Sequence, residues 1–189
     1  MARACLFFPS VHLSDQLTVA RALSVPVVVV LFAWDFPGHY YWGTAVFAVA
    51  MATDWFDGWY ARRTARSSNL GRLLDPVADK LLVMAALIML VGPVFPGWMV
   101  AAIISREFLM SGFRLAALER GVVMGARDLG KLKTGTQALA AGLGGLAAAG
   151  AFTTDVGWWA GLVALVLTWV SGLDYFLSAP RLLRGQQPA

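Results

Sequence analysis

Residues 40–95 read YYWGTAVFAVAMATDWFDGWYARRTARSSNLGRLLDPVADKLLVMAALIMLVGPVF. Two apolar runs, at about 40–61 and 73–95, flank the polar and basic segment RRTARSSNLGR. Each run is close to the ~20 residues a helix needs to cross ~30 Å of hydrocarbon. The basic segment contains Gly71 and reads as a turn, so the two helices run antiparallel. Four carboxylates flank that turn: Asp54 and Asp57 before it, Asp75 and Asp79 after it. Asp54 and Asp57 stand at i, i+3, and Asp75 and Asp79 at i, i+4, so each pair shares one helix face. An antiparallel hairpin brings the two pairs to the same depth.

Four further runs of the same kind follow the pattern outward, at about 19–34, 97–118, 134–152 and 156–177. Period-2 alternation is absent, so strands are not expected. Of the 189 residues, 59% are hydrophobic and only 14% charged. A soluble domain of this size lacks the interior for that much apolar surface, and disorder is excluded on the same ground. Cys5 is the only cysteine, which rules out a disulfide-stapled domain. The expected fold is an all-α integral membrane protein with six transmembrane helices.

Charge placement orients it. The linking segments FPGH, GPVFPGW and TTDVG hold no Lys or Arg. All fifteen basic residues lie at the other ends of the runs: Arg3, Arg21, Arg62, Arg63, Arg66, Arg72, Lys80, Arg106, Arg114, Arg120, Arg127, Lys131, Lys133, Arg181 and Arg184. By the positive-inside rule both termini are cytoplasmic. The net charge of +4 therefore reports orientation toward anionic lipid, not nucleic acid. The location expected is the cell's inner membrane, multi-pass, with the acids facing the cytoplasm. No cleavable signal peptide is evident. Residues 1–13 read as a leader without assigned function, and 14–189 as one membrane domain. Ala141, Gly145 and Ala149 recur at spacing four on the fifth run, a pattern for close helix packing in the bundle or for a dimer contact.

Four carboxylates at one depth repel one another and are expensive near a membrane. Protonation or bound cations relieve this. Oxygen donors without His or Cys nearby favour Mg²⁺ or Mn²⁺, and four carboxylates balance two divalent ions. Two metals suit phosphoryl transfer. Structural alternatives exist for single residues. Asp75 before Pro76 fits a helix N-cap, and Asp54 and Asp57 can pair with Arg62 or Arg66. Gly58 and Ala61 offer close backbone access beside the acids, and Arg62 and Ser68 are placed to reach phosphates or a sugar. His12 and His39 are isolated, and the aromatic residues at 40–42, 55–60 and 158–159 suit the interfacial belt.

The stretch from Asp54 to Asp79 resembles the signature of the CDP-alcohol phosphatidyltransferase family, D-x2-D-G-x2-A-R-x8-G-x3-D-x3-D, matching all eight fixed positions and every spacing. The resemblance implies six transmembrane helices, a homodimer, two divalent metals, and displacement of CMP from a CDP-linked lipid by an alcohol. It implies that Asp54, Asp57, Asp75 and Asp79 are metal ligands, that Asp79 is also the general base, and that Gly58, Arg62 and Ser68 contact CDP. SREFLMSGFR at 105–114 and LGKLKT at 129–134 are similar to the bacterial phosphatidylglycerophosphate synthases within that family. Leu17, Thr18, Arg21 and Pro26 resemble that group's L-T-x-x-R-x-x-x-x-P, which adds Thr18 as a CDP-diacylglycerol contact. The preceding N-x-P-N is replaced here by His12, Leu13, Ser14 and Asp15.

An anionic acceptor fits the remaining charges. Arg106 and Arg114 are eight residues apart, about 80° around an ideal helix, and project from roughly one side. Lys131 and Lys133 open the fifth run on the same face of the membrane. Together they suit a phosphate, as carried by sn-glycerol 3-phosphate. Arg120 and Arg127 read as interfacial topology residues. Glu107 reads either as a group orienting a neighbouring Arg or as a simple ion pair. Two other functions remain open at this level: the same chemistry with another acceptor such as inositol phosphate, and a non-catalytic lipid-binding or transport protein. Against the latter, the acids cluster at one membrane face and inverted repeats are missing.

Overall fold

The computed structural model describes the backbone of residues 13–64, 69–119 and 128–183. Side chains are described over 20–53, 77–78, 80–117, 130, 132–174 and 176–177. Among the described residues there are six helices and no strand: α1 Leu13–Ala33, α2 His39–Thr64, α3 Asn69–Met89, α4 Gly97–Glu119, α5 Asp128–Ala148 and α6 Thr154–Leu183. The all-α expectation holds, with one helix for each apolar run.

Boundaries differ from the apolar runs where polar residues continue a helix. α3 begins at Asn69, so Asp75 lies beyond the first turn and is not an N-cap. α5 begins at Asp128, before the apolar run, and α6 extends to Leu183. α4 runs unbroken through its charged residues, of which Arg106 and Glu107 are buried and paired. The segment TTDVG is not a turn. α6 starts at Thr154, with Asp155 in its first turn, where a negative charge complements the helix dipole. The turn lies earlier, at Gly150, whose φ of 81° suits a residue without Cβ. There the Ala151 N–H donates to Leu146 O at 3.0 Å and closes α5.

α3 runs along the middle of the core, with Leu82, Val83, Ala86, Leu87 and Leu90 all buried. α1 packs on α2 and α3 with Val28 and Phe32, and α5 packs along α6. The link after α3 folds back through Gly92, whose N–H donates to Phe95 O at 3.0 Å. That turn drives Phe95 between α5 and α6. A Cβ at Gly144 or at Gly161 would come within 2.7 Å of the Phe95 ring, so the two glycines form the slot it occupies. Of the small residues on α5, Ala141 and Gly145 are buried within the bundle, Gly145 against Thr44 of α2, while Ala149 is exposed. Ala141 and Gly145 therefore serve packing between helices of one chain.

Among the described residues, one helical stretch, Thr154–Asp174, is long and apolar enough to cross a membrane by length and composition. Shorter apolar stretches are Ala20–Ala33 and Lys80–Met89. Large apolar side chains face outward around the bundle, including Trp34, Phe108, Trp159 and Leu177.

Candidate active site

Helix register settles the placement of the acids along the chain. Asp54 and Asp57 are in α2, and Asp75 and Asp79 are in α3. Only four residues separate the two helices, a connection length typical of an antiparallel pair. At 1.5 Å per residue, Asp57 and Asp54 stand about 10 and 15 Å back from the end of α2. By the same rise, Asp75 and Asp79 stand about 9 and 15 Å into α3. Measured along their own helices from the ends that face the α2–α3 link, the two pairs thus stand at similar distances. Their side chains, and those of Thr18, Arg62 and Lys131, lie outside the described set, as does residue Ser68 altogether. Gly58 follows Asp57 within α2.

Carboxylate oxygens arranged as two helical pairs, with no His or Cys in α3 and no Cys in α2, are a donor set suited to hard divalent cations. His39 opens α2 and bonds instead through Nδ1 to Trp34 O at 3.0 Å.

A second polar group is buried where α4, α5 and α6 meet. Arg106, Glu107 and Lys133 are 5%, 4% and 8% exposed. Ionised groups so deeply buried are tolerated only when paired. Glu107 supplies the pairing. Its Oε1 accepts from Arg106 Nη1 at 3.0 Å, from Lys133 Nζ, and from Gln137 Nε2 at 3.4 Å. Arg106 Nη2 donates to Ser171 Oγ at 2.7 Å, and Ser171 Oγ donates to Thr168 O at 3.0 Å. Gln137 Nε2 also donates to Thr168 Oγ1 at 2.8 Å. α3 contributes Lys80, whose Nζ donates to Ser111 Oγ at 3.0 Å and stands 3.8 Å from Glu107 Oε2.

The Arg106 guanidinium lies flat against α6 because residue 172 is glycine. A Cβ there would be 2.9 Å from Arg106 Nε. That Nε is buried with no hydrogen-bond partner among the described residues.

Of the four cations assigned to an acceptor phosphate, the structure brings Arg106 and Lys133 together on one carboxylate, and leaves Arg114 exposed farther along α4. Glu107 both orients Arg106 and pairs with Lys133, so its two sequence readings merge. Lys80, Gln137, Thr168 and Ser171 were not singled out by the sequence. Three of them carried a faint signal. Gln137 stands at i+4 from Lys133, and Thr168 and Ser171 are polar residues at i, i+3 in a strongly apolar helix. Lys80 carried none, because its partners are on another helix.

Residues 11–170 match the family model described as CDP-alcohol phosphatidyltransferase. The chain is 42% identical over 142 residues to the CDP-diacylglycerol–glycerol-3-phosphate 3-phosphatidyltransferase of Bacillus subtilis, covering 68% of this chain and 74% of that protein. It is 41% identical over 113 residues to the protein of the same name in Pseudomonas fluorescens, covering 58% of each. It is 36% identical over 186 residues to a probable phosphatidylglycerophosphate synthase of Mycobacterium tuberculosis, covering 92% of this chain and 84% of its relative. With the acid signature on adjoining helices and a family match across most of its length, the chain belongs to the CDP-alcohol phosphatidyltransferase family.

Proposed function

We propose that this chain transfers the phosphatidyl group of CDP-diacylglycerol to sn-glycerol 3-phosphate, giving phosphatidylglycerol phosphate and CMP. The relatives' names support the reaction class and the acceptor. The observation that carries the reading is on α3. Lys80, next in the chain to Asp79, reaches Ser111 and stands beside Glu107. Lys80 thus links the chain position after Asp79 to the buried group of Arg106, Glu107 and Lys133, which supports a single site for acids and cations.

Asp54, Asp57, Asp75 and Asp79 hold two divalent cations, Mg²⁺ or Mn²⁺. When bound, such ions neutralise a pyrophosphate and stabilise the charge that develops on departing CMP. Thr18, Gly58, Arg62 and Ser68 bind CDP-diacylglycerol at its nucleotide end. Arg106 and Lys133 hold the acceptor's phosphate from inside the bundle, together with Arg114 and Lys131. Asp79 accepts the proton of the acceptor's primary hydroxyl. That oxygen forms a bond to the β-phosphorus, and the bond from that phosphorus to the bridging oxygen breaks, its electron pair leaving on CMP.

The bundle sits in the inner membrane as six spans, as one domain over residues 14–189, with both termini and the active site on the cytoplasmic side. Its inverted distribution supports this. Leu177 and Phe108 are 73% and 69% exposed, whereas Arg106, Glu107 and Lys133 are inside. An apolar exterior of this extent suits lipid, not water. The homodimer rests on the family resemblance.

The test is purified protein with CDP-diacylglycerol and one acceptor at a time, following CMP and lipid product. Glycerol 3-phosphate is expected to give product. Product with inositol phosphate and none with glycerol 3-phosphate would overturn the acceptor, and no CMP release with any acceptor would overturn the transfer.

A further inference from the structure

Glu107 is the shared anion for polar groups on three helices, and nothing in the transfer chemistry itself calls for a carboxylate there. Its Oε1 takes Arg106 from α4 and Lys133 and Gln137 from α5, and its Oε2 faces Lys80 from α3. Three cations and one anion leave an excess of two positive charges at one point. A phosphate monoester carries close to the opposite charge at neutral pH, about −1.5 to −2. Without the carboxylate, Arg106 and Lys133 would be buried like charges with no counter-ion, and would separate. We propose that Glu107 is a positioning residue of the acceptor site: it holds Arg106 and Lys133 in place and draws Lys80 across from α3, so that a preset excess of positive charge awaits the acceptor's phosphate. This rests on the phosphatidyl-transfer reading above.

The geometry separates the roles. Arg106 is pinned at both ends, by Glu107 and by Ser171, and Lys133 is buried, so neither moves cheaply. Lys80 is different. Its side chain is 38% exposed and its 3.8 Å approach to Glu107 is loose, so it is the member that can turn from Glu107 to an incoming phosphate. Lys80 follows Asp79 directly, which couples the arrival of the phosphate to the helix that carries the base.

The experiment measures kcat and both KM values for the full-length wild type, Glu107→Gln, Glu107→Asp and Lys80→Met. Glu107→Gln keeps size and removes charge. It is expected to raise KM for glycerol 3-phosphate by about tenfold or more, in line with losing one partner of a buried charge pair, and to leave KM for CDP-diacylglycerol within about twofold. Glu107→Asp keeps the charge and is expected to recover part of that loss. Lys80→Met, at a half-exposed position, is expected to raise the same KM by about three- to fivefold. Should Glu107→Gln fail to fold, Lys80→Met decides alone. Equal shifts in both KM values, or an unchanged acceptor KM in the folded variants, would overturn the positioning role. Wild-type CMP release dependent on glycerol 3-phosphate keeps the transfer reading standing in that case, whereas its absence from the wild type would sink the reading itself.

Discussion

A methyl group added at Gly145 has no room. The Cβ of Gly145→Ala would lie 2.0 Å from Thr44 Oγ1 and 3.1 and 3.2 Å from Thr44 Cβ and Cγ2. An ordinary carbon–oxygen contact needs more than 1 Å beyond that 2.0 Å, so something must move. Thr44 is 4% exposed, and its hydroxyl donates to Tyr40 O at 2.7 Å. Turning the side chain aside breaks that bond where no water replaces it, a loss of about 1 kcal/mol. Parting α2 and α5 instead is overpacking, at about 1–3 kcal/mol. Alanine regains about 1 kcal/mol of helix propensity over glycine. The net is a destabilisation of up to about 2 kcal/mol, or up to roughly 8 °C in Tm for a chain of this length. Gly142, three residues earlier on the same helix, has nothing within 4 Å of a built Cβ, so Gly142→Ala is expected to stabilise by up to about 1 kcal/mol. Adding Thr44→Ala to Gly145→Ala removes the hydroxyl and leaves the 3.1 Å Cβ contact, and is expected to recover most of the loss, with a coupling energy of about 1 kcal/mol or more. Thermal unfolding of the detergent-purified wild type, Gly142→Ala, Gly145→Ala, Thr44→Ala and the double variant reads all of this. A Gly145→Ala protein as stable as Gly142→Ala would refute the packing of α5 on α2 described here.

Asp79→Asn is expected to abolish CMP release while the protein keeps its unfolding temperature, and undiminished release would remove Asp79 from the mechanism. Chelation with EDTA is expected to stop turnover, with Mg²⁺ or Mn²⁺ restoring it; CMP formation that persists in chelator would show that the four aspartates serve another purpose. Gly172→Ala places a Cβ 2.9 Å from Arg106 Nε and 3.4 Å from Nη2, and displaces a guanidinium held on both sides. It is expected to raise KM for glycerol 3-phosphate by about three- to tenfold with little change for CDP-diacylglycerol, by analogy with partial loss of a buried charged hydrogen bond; equal KM values before and after would show that α6 does not position Arg106.

What could be read without coordinates is what is local in the chain. Six apolar runs become six helices because run length and helical periodicity are properties of consecutive residues. The spacing of Asp54 with Asp57, and of Asp75 with Asp79, is of the same kind. Helix rise alone gives both pairs similar distances from the α2–α3 link, along their own helices, once the ends of α2 and α3 are known. Helix ends were less legible. Asp75–Pro76 looks like a beginning, yet α3 has already started at Asn69, and TTDVG looks like a turn, yet Gly150 makes it. Polar residues near a helix end satisfy turn and helix patterns alike, and neighbouring structure chooses between them.

The partners of the buried charges belong wholly to the tertiary structure. Charge placement gathers fifteen basic residues at one set of ends of the apolar runs but does not say which of them turn inward. Arg106 meets Ser171 across 65 residues, Lys133 meets Glu107 across 26, and Lys80 meets Ser111 across 31. No periodicity links positions so far apart. They are brought together because Phe95 seats between α5 and α6, Gly172 lets Arg106 lie against α6, and a charge driven inside must find its counter-ion wherever the packed helices present one.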